Sequence, residues 1–182
     1  RLKHDYSRPL IITDADEVLF QFMAGLEEFI HDHELFFDWS SFALTGNIRR
    51  TDTKQALPSH QVKDLLAKFF AQRTAVLVPV QGAASALKSL AEVAEVIVLS
   101  NVPQQAIKAR KDCLRRNGMD YPMIANTGPK GPAVRYLTCR KLRTAVFIDD
   151  LPPNHRSVAE HAEHVLRIHF VAHPKLGKLV GP

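Results

Sequence analysis

Apolar residues recur along the chain with two different periods, and the alternation between them predicts the fold. Short, continuous apolar runs stand at PLIIT (9–13), EVIVLS (95–100), YPMIAN (121–126), TAVFID (144–149) and HVLRIHF (164–170). Each is too short for a helix, and most end in polar residues, so they read as buried strands. Helical periodicity fills the gaps between the later runs. PQQAIKARKDCLRRNG opens near Pro103 and closes at Gly118, with proline at the entry and glycine at the exit as a helix prefers. GPAVRYLTCRKL and PPNHRSVAEHAEH follow the same logic. Strands alternating with helices predict an α/β, three-layer, Rossmann-like parallel sheet of about five strands, covered on both faces.

One region breaks the alternation. Residues 20–78 offer a Phe-rich helix (FQFMAGLEEFIHDHELF), a polar loop (DWSSFALTGNIRRTDTKQALP) and a second helix (SHQVKDLLAKFFAQR), with no good strand. Ser59 is the expected cap of that second helix. The chain then divides into a core of residues 1–19 and 79–182 and a small α-helical cap, residues 20–78, inserted after the first strand.

Ligands of open parallel sheets bind beyond the carboxyl ends of the strands. The residues found there are Asp14 and Asp16 after the first strand, Ser100 and Asn101 after the second, and Asp149 and Asp150 after the fourth. Lys130 opens the helix before that fourth strand. Carboxylates gathered on one edge repel unless a cation holds them. Mg²⁺ suits the task, because it binds through a few carboxylates, waters and substrate phosphate. A hydroxyl and an ammonium beside it suit the remaining phosphate oxygens. Phosphoryl transfer needs a positioned nucleophile, neutralised charge and a proton donor. A carboxylate serves as nucleophile through an aspartyl phosphate, which gives Asp14 the attack and Asp16 the proton.

Composition narrows the partners. No apolar run is long enough for a membrane span, and RLKHDYSRP has no signal-peptide core. The two cysteines, Cys113 and Cys139, have no metal spacing and read as free thiols in a reducing cytoplasm. A net charge of +5 suits anionic small molecules. The densest basic run, IKARKDCLRR, reads as a solvated helix face, and without interleaved aromatics it does not suggest nucleic acid. The nine histidines show no convincing ligand spacing and read as surface residues.

The motifs DADEVLF, LSN, GPKGPAV and FIDDLPPN, in that order and at strand ends, resemble those of the haloacid dehalogenase-like hydrolase superfamily. The resemblance spans residues 9 to about 170. It implies that Asp14 is the nucleophile and a Mg²⁺ ligand. Asp16 is then the general acid/base, its carbonyl a second ligand. Ser100 matches the phosphate-binding hydroxyl, with Asn101 beside it. Lys130 matches the lysine that steadies nucleophile and phosphoryl group, and Asp149, with Asp150, the acidic metal ligands. The inserted helices resemble the family's small cap, which carries substrate choice.

These residues lead to the expectation of a Mg²⁺-dependent phosphomonoester hydrolase acting on a small phosphorylated metabolite. Two alternatives stand beside it: a metal-independent 2-haloacid dehalogenase, and a low-turnover binding or regulatory protein on the same fold. Dehalogenases of the family keep no carboxylate at the position of Asp16. Glu17, where family phosphatases have glycine, is the feature that favours low turnover. The loop LTGNIRR places Asn47, Arg49 and Arg50 together, so they are expected to bind a second anionic or polyhydroxyl group of the substrate.

Overall fold

The computed structural model describes residues 8–139 and 143–179. The first half of the chain forms β1 (Leu10–Thr13), α1 (Phe22–His31), β2 (Leu35–Phe37), β3 (Ile48–Arg50), α2 (Ser59–Arg73) and α3 (Ala83–Val93). The second half forms β4 (Glu95–Ser100), α4 (Ile107–Arg116), β5 (Met123–Ala125), α5 (Gly131–Thr138), β6 (Ala145–Asp149), α6 (Pro152–His161), β7 (Leu166–His169) and the short α7 (Pro174–Gly177).

Five strands make one parallel sheet in the order β5-β4-β1-β6-β7. β1 is central, with Ile12 in register with Ile97 on one side and Phe147 on the other. Strand side chains alternate between faces, and the core is built accordingly. Leu10, Ile12, Ile97, Leu99 and Phe147 pack with Val134 of α5 and Val158 of α6. Ile11, Val96 and Val98 belong to the opposite cluster, with Leu87 of α3, Leu114 of α4 and the Phe-rich inserted segment. The sheet is therefore covered on both faces, as its apolar runs predict. The order reverses direction between β1 and β6, which opens a crevice at their carboxyl ends.

The inserted segment departs from the all-helical expectation. Residues 35–37 and 48–50 pair as an antiparallel two-stranded sheet, Phe36 opposite Arg49. Leu35–Phe37 had read as the tail of a helix, but α1 stops at His31 and Glu34 takes a positive φ of 57° that turns the chain. Ser59 is the first residue of α2 rather than its cap, and its side chain makes no capping bond. The segment leaves and rejoins the core through a paired neck, where Gln21 N–H donates to the Val78 carbonyl and Val80 N–H to that of Leu19, both at 2.9 Å.

Two further differences concern the edges. β7 is a strand, but an exposed edge one: Leu166 keeps 62% of its surface in solvent and Ile168 48%. The last residues of the GPAVRYLTCRKL helix, 140–142, lie outside the described residues. Among the described residues, no helix is long and apolar enough to cross a membrane.

Candidate active site

The crevice between β1 and β6 gathers the carboxylates. Asp14 directly follows β1 and its N–H donates to the Ile148 carbonyl at 2.8 Å, which fixes it against β6. Its Oδ1 accepts the Ala15 N–H at 2.7 Å and lies 2.8 Å from Lys130 Nζ. The same ammonium donates to Asp149 Oδ2 at 2.7 Å. Asp149 Oδ1 accepts the Leu151 N–H at 2.9 Å and Asn154 Nδ2 at 3.0 Å. Asn154 is thus the side chain that orients Asp149, a role the FIDDLPPN motif left open. Asp150 completes a trio: Asp14, Asp149 and Asp150 are all buried, with one ligand oxygen from each within 4.8 Å of the others.

One lysine cannot balance three buried carboxylates. Burial pushes Asp14 up to about 7 in spite of the Lys130 ammonium beside it, and Asp149 and Asp16 add to the rise. Asp150 is held well above the usual carboxylate range by burial first and then by Asp14 and Asp149. Burial alone would lower Lys130, but the two touching carboxylates outweigh it and hold the ammonium above its ordinary pKa. Such an excess of buried hard oxygen ligands is the donor chemistry of a small divalent cation, and the residues fit Mg²⁺.

Lys130 is aimed by a close approach of two helices. It caps α5, whose first residue, Gly131, donates its N–H to Ser157 Oγ of α6 at 3.1 Å. A Cβ on Gly131 would run into the Ser157 carbonyl, so only glycine lets α5 sit this near α6. The loop before it is pinned by Asn101, which donates to the Gly128 carbonyl at 2.9 Å and accepts from Asn126 at 2.7 Å. Ser100 ends β4, fully buried, and its Oγ has no hydrogen-bond partner. A buried hydroxyl left unpaired is unusual and points to a missing oxygen ligand.

Asp16 is held by a residue that the sequence pattern had placed in solvent. Arg110 of α4 is fully buried and donates from Nη2 to Asp16 Oδ1 at 2.6 Å, with its guanidinium 5.3 Å from the Phe20 ring centroid. The solvated-face expectation for residues 107–116 fails at this one position. The signal was present: Arg110 falls three residues after Ile107 and four before Leu114, on the apolar stripe. The Asp16 carboxylate, committed to Arg110, is not part of the trio Asp14, Asp149 and Asp150.

Glu17 also has a definite job. It is 2% exposed, takes a positive φ of 58°, and lies at the cavity edge with its carboxylate bonded towards α1. Its Oε1 accepts the Met23 N–H at 2.6 Å, satisfying the start of α1, and its Oε2 accepts the His173 N–H at 3.0 Å. It therefore braces the inserted segment against the C-terminal stretch. The same stretch grips the insertion again at Trp39. The His173 ring stacks on the indole at 4.4 Å and 4°, and Glu27 accepts the indole N–H at 3.0 Å.

A cavity of about 200 Å³ opens over this chemistry, lined by Asp14, Asp16, Asn101, Lys130 and Asp150 on the core side and by the inserted segment above. Asn47, Arg49 and Arg50 do not line it. Asn47 is buried and spends its amide on the loop that carries it, bonding Ser40, Ser41 and Ala43. Arg49 pairs with Asp38 at 3.0 Å, and Arg50 projects from the exposed end of β3. Membership of the hairpin, invisible in a loop reading, turns them away. They are corrected from substrate contacts to structural and surface residues.

No family model matches the chain, and no curated protein matches it. Solved structures do share its architecture. A haloacid dehalogenase-like family hydrolase from Streptococcus pneumoniae superposes with a TM-score of 0.61 at 12% identity, covering 95% of this chain and 91% of that one. A superfamily hydrolase of subfamily IA from Geobacter sulfurreducens gives 0.53 at 16% identity, covering 92% and 89%. L-2-haloacid dehalogenase from Xanthobacter autotrophicus gives 0.51 at 14% identity, covering 87% and 76%. The chain has the haloacid dehalogenase-like hydrolase fold. Phosphate and halide chemistry are not told apart by this likeness.

Proposed function

We propose that the chain is a Mg²⁺-dependent phosphomonoester hydrolase that works through an aspartyl phosphate on Asp14. The observation that carries this reading is the buried trio Asp14, Asp149 and Asp150 around a single lysine. When bound by that trio, Mg²⁺ supplies the positive charge that offsets the carboxylates and the phosphoryl oxygens. Lys130 holds Asp14 and Asp149 in register and favours the ionised form of Asp14, against the burial that raises its pKa. A bond forms between an Asp14 oxygen and phosphorus as the bond to the leaving oxygen breaks. Asp16 delivers its proton to that oxygen, then takes one back from the water that hydrolyses the acyl phosphate. The unpaired Ser100 hydroxyl, buried next to Asn101 of the cavity wall and not itself in that wall, is the group this reading assigns to a phosphoryl oxygen.

Residues 20–78 serve as the cap in this scheme, and the substrate is a small phosphorylated metabolite rather than a nucleic acid or a membrane lipid. The carboxylate of Asp16, together with the excess of buried carboxylates at Asp14, Asp149 and Asp150, favours metal-assisted phosphate chemistry over metal-free dehalogenation. The low-turnover alternative is less favoured, because the Glu17 carboxylate, although it borders the cavity, is engaged by the Met23 and His173 N–H groups. Purified protein hydrolyses a simple aryl phosphate in Mg²⁺, and Asp14→Asn loses at least about a thousandfold in kcat. Equal hydrolysis in EDTA, or metal-free chloride release from a 2-haloacid at a higher rate, contradicts the proposal.

A further inference from the structure

The cavity over Asp14 differs sharply between floor and roof. The floor is acidic: Asp14, Asp16 and Asp150 line it, Glu17 adjoins them, and among the described residues Lys130 is the one cation present. That cation is already bonded to Asp14 and Asp149. The roof is apolar, made by Phe22, Phe42, Leu44 and Phe70 of the inserted segment, with Met23 and Leu176 beside them. Phe22 and Phe70 lie with ring centroids 5.7 Å apart, so aromatic surface lines the cavity. Two consequences follow. A second anionic group would enter a site with no free cation and an excess of carboxylates, where like charge is costly to desolvate. A polyhydroxyl group reaching the roof would leave the polar floor, where Asn101 and Asn154 also line the cavity, and would lose its water against Phe22, Phe42, Leu44 and Phe70 without replacement.

Size sets a further limit. At about 200 Å³ the cavity is smaller than the roughly 300–1,000 Å³ typical of sites for drug-sized ligands. From this we infer that the substrate is a phosphate monoester whose leaving group is one compact, uncharged aromatic ring. The inference rests on the phosphatase reading and deepens it. It replaces the second anionic group that the arginines of the LTGNIRR loop had suggested. The specificity-determining side chains are Phe22, Phe42, Leu44 and Phe70. They recognise the ring by shape and apolar contact, while the phosphoryl group alone carries charge to the floor.

The test compares phosphates of primary alcohols, so that leaving-group chemistry is nearly constant. Benzyl phosphate, 4-carboxybenzyl phosphate and glycerol 3-phosphate are assayed with Mg²⁺ on the wild type and on two variants. The wild type turns over benzyl phosphate with kcat/KM at least about tenfold above either of the others. Phe42→Ala lowers kcat/KM for benzyl phosphate by a larger factor than for glycerol 3-phosphate, so that the preference between them narrows. Leu44→Arg supplies the missing cation and gains activity on 4-carboxybenzyl phosphate, a result that misfolding cannot produce. Wild-type preference for glycerol 3-phosphate or the carboxylate analogue overturns the inference and leaves the phosphatase reading intact. A benzyl preference unaltered in both variants also overturns it, because the roof is then not the source. No Mg²⁺-dependent turnover of any of the three overturns the phosphatase reading and this inference together.

Discussion

Asp16 and Arg110 form an ion pair in which the cation is fully buried and the carboxylate partly open to the cavity. A buried guanidinium is expensive to keep unless its partner is fixed, so the pair holds the Asp16 carboxylate in one place. Arg110→Met should lower stability by about 2 kcal/mol, read as the urea midpoint, because Asp16 loses its charged partner. It should also lower kcat more than it changes KM, since the proton donor wanders while the phosphate site is untouched. A variant with unaltered kcat would show that Asp16 needs no anchor. The buried carboxyls make stability depend on pH. Burial raises Glu17 from 4.5 to about 7 and Asp14 from 3.8 to about 7, and it raises Asp150 as well. Between those limits the folded chain keeps protons that the unfolded chain has released. Stability in EDTA therefore falls as pH rises from about 4 towards 7. Denaturant titrations across that window should show the decline, less steeply in Glu17→Gln, and a flat profile would contradict it.

At the scale of elements, the approach of α5 to α6 positions the lysine. Gly131→Ala places a methyl group against the Ser157 carbonyl, which belongs to a helix and cannot swing aside. Moving α5 to relieve the clash draws Lys130 off Asp14 and Asp149. The variant should lose about 1–3 kcal/mol, or more, and most activity, whereas Gly177→Ala, with open space around it, should change neither. Thermal melts and initial rates separate the two. Five strands and four site motifs were legible in the sequence because they need little context. The central strands β1, β4 and β6 are covered on both faces and must be apolar, the edge strands β5 and β7 carry short apolar runs beside them, and ligand chemistry collects at the carboxyl ends. The β2–β3 hairpin was not legible: each strand is three residues long, one lies against a helical pattern and the other within a polar loop. That miss carried a second one, since the positions of Asn47, Arg49 and Arg50 depend on the hairpin. α3, from Ala83 to Val93, also went unread, although Ala83, Leu87, Leu90 and Ala91 mark a clear apolar face. The Arg110–Asp16 pair spans 94 residues of sequence, and no local pattern encodes such a contact.

The whole molecule carries a net charge of +5, yet its cavity concentrates carboxylates around one lysine. On the proposed reading, basic residues elsewhere draw the anionic phosphoester in, and a cation held by the trio offsets its charge. Mg²⁺ should therefore stabilise the folded state, by about 2.7 kcal/mol at a concentration a hundred times its Kd. The rise in Tm should be present near neutral pH, shrink as acid protonates the trio, and vanish in Asp150→Asn. Calcium or magnesium without effect on Tm would deny the trio its role as a metal site. The inserted segment is tied to the core by contacts that include the neck at Gln21 and Val80, the Glu17 brace, and the His173–Trp39 stack. Its apolar roof thus stays over the carboxylates and excludes water from the phosphoryl group during attack. The claim on which all of this turns is that Asp14 becomes covalently phosphorylated. Acid quenching of the Mg²⁺-loaded protein during turnover of radiolabelled benzyl phosphate tests it directly. Label should remain on the peptide that contains Asp14, be released by hydroxylamine as an acyl phosphate is, and be absent from Asp14→Asn. Continued release of inorganic phosphate with no label on that peptide would contradict the account.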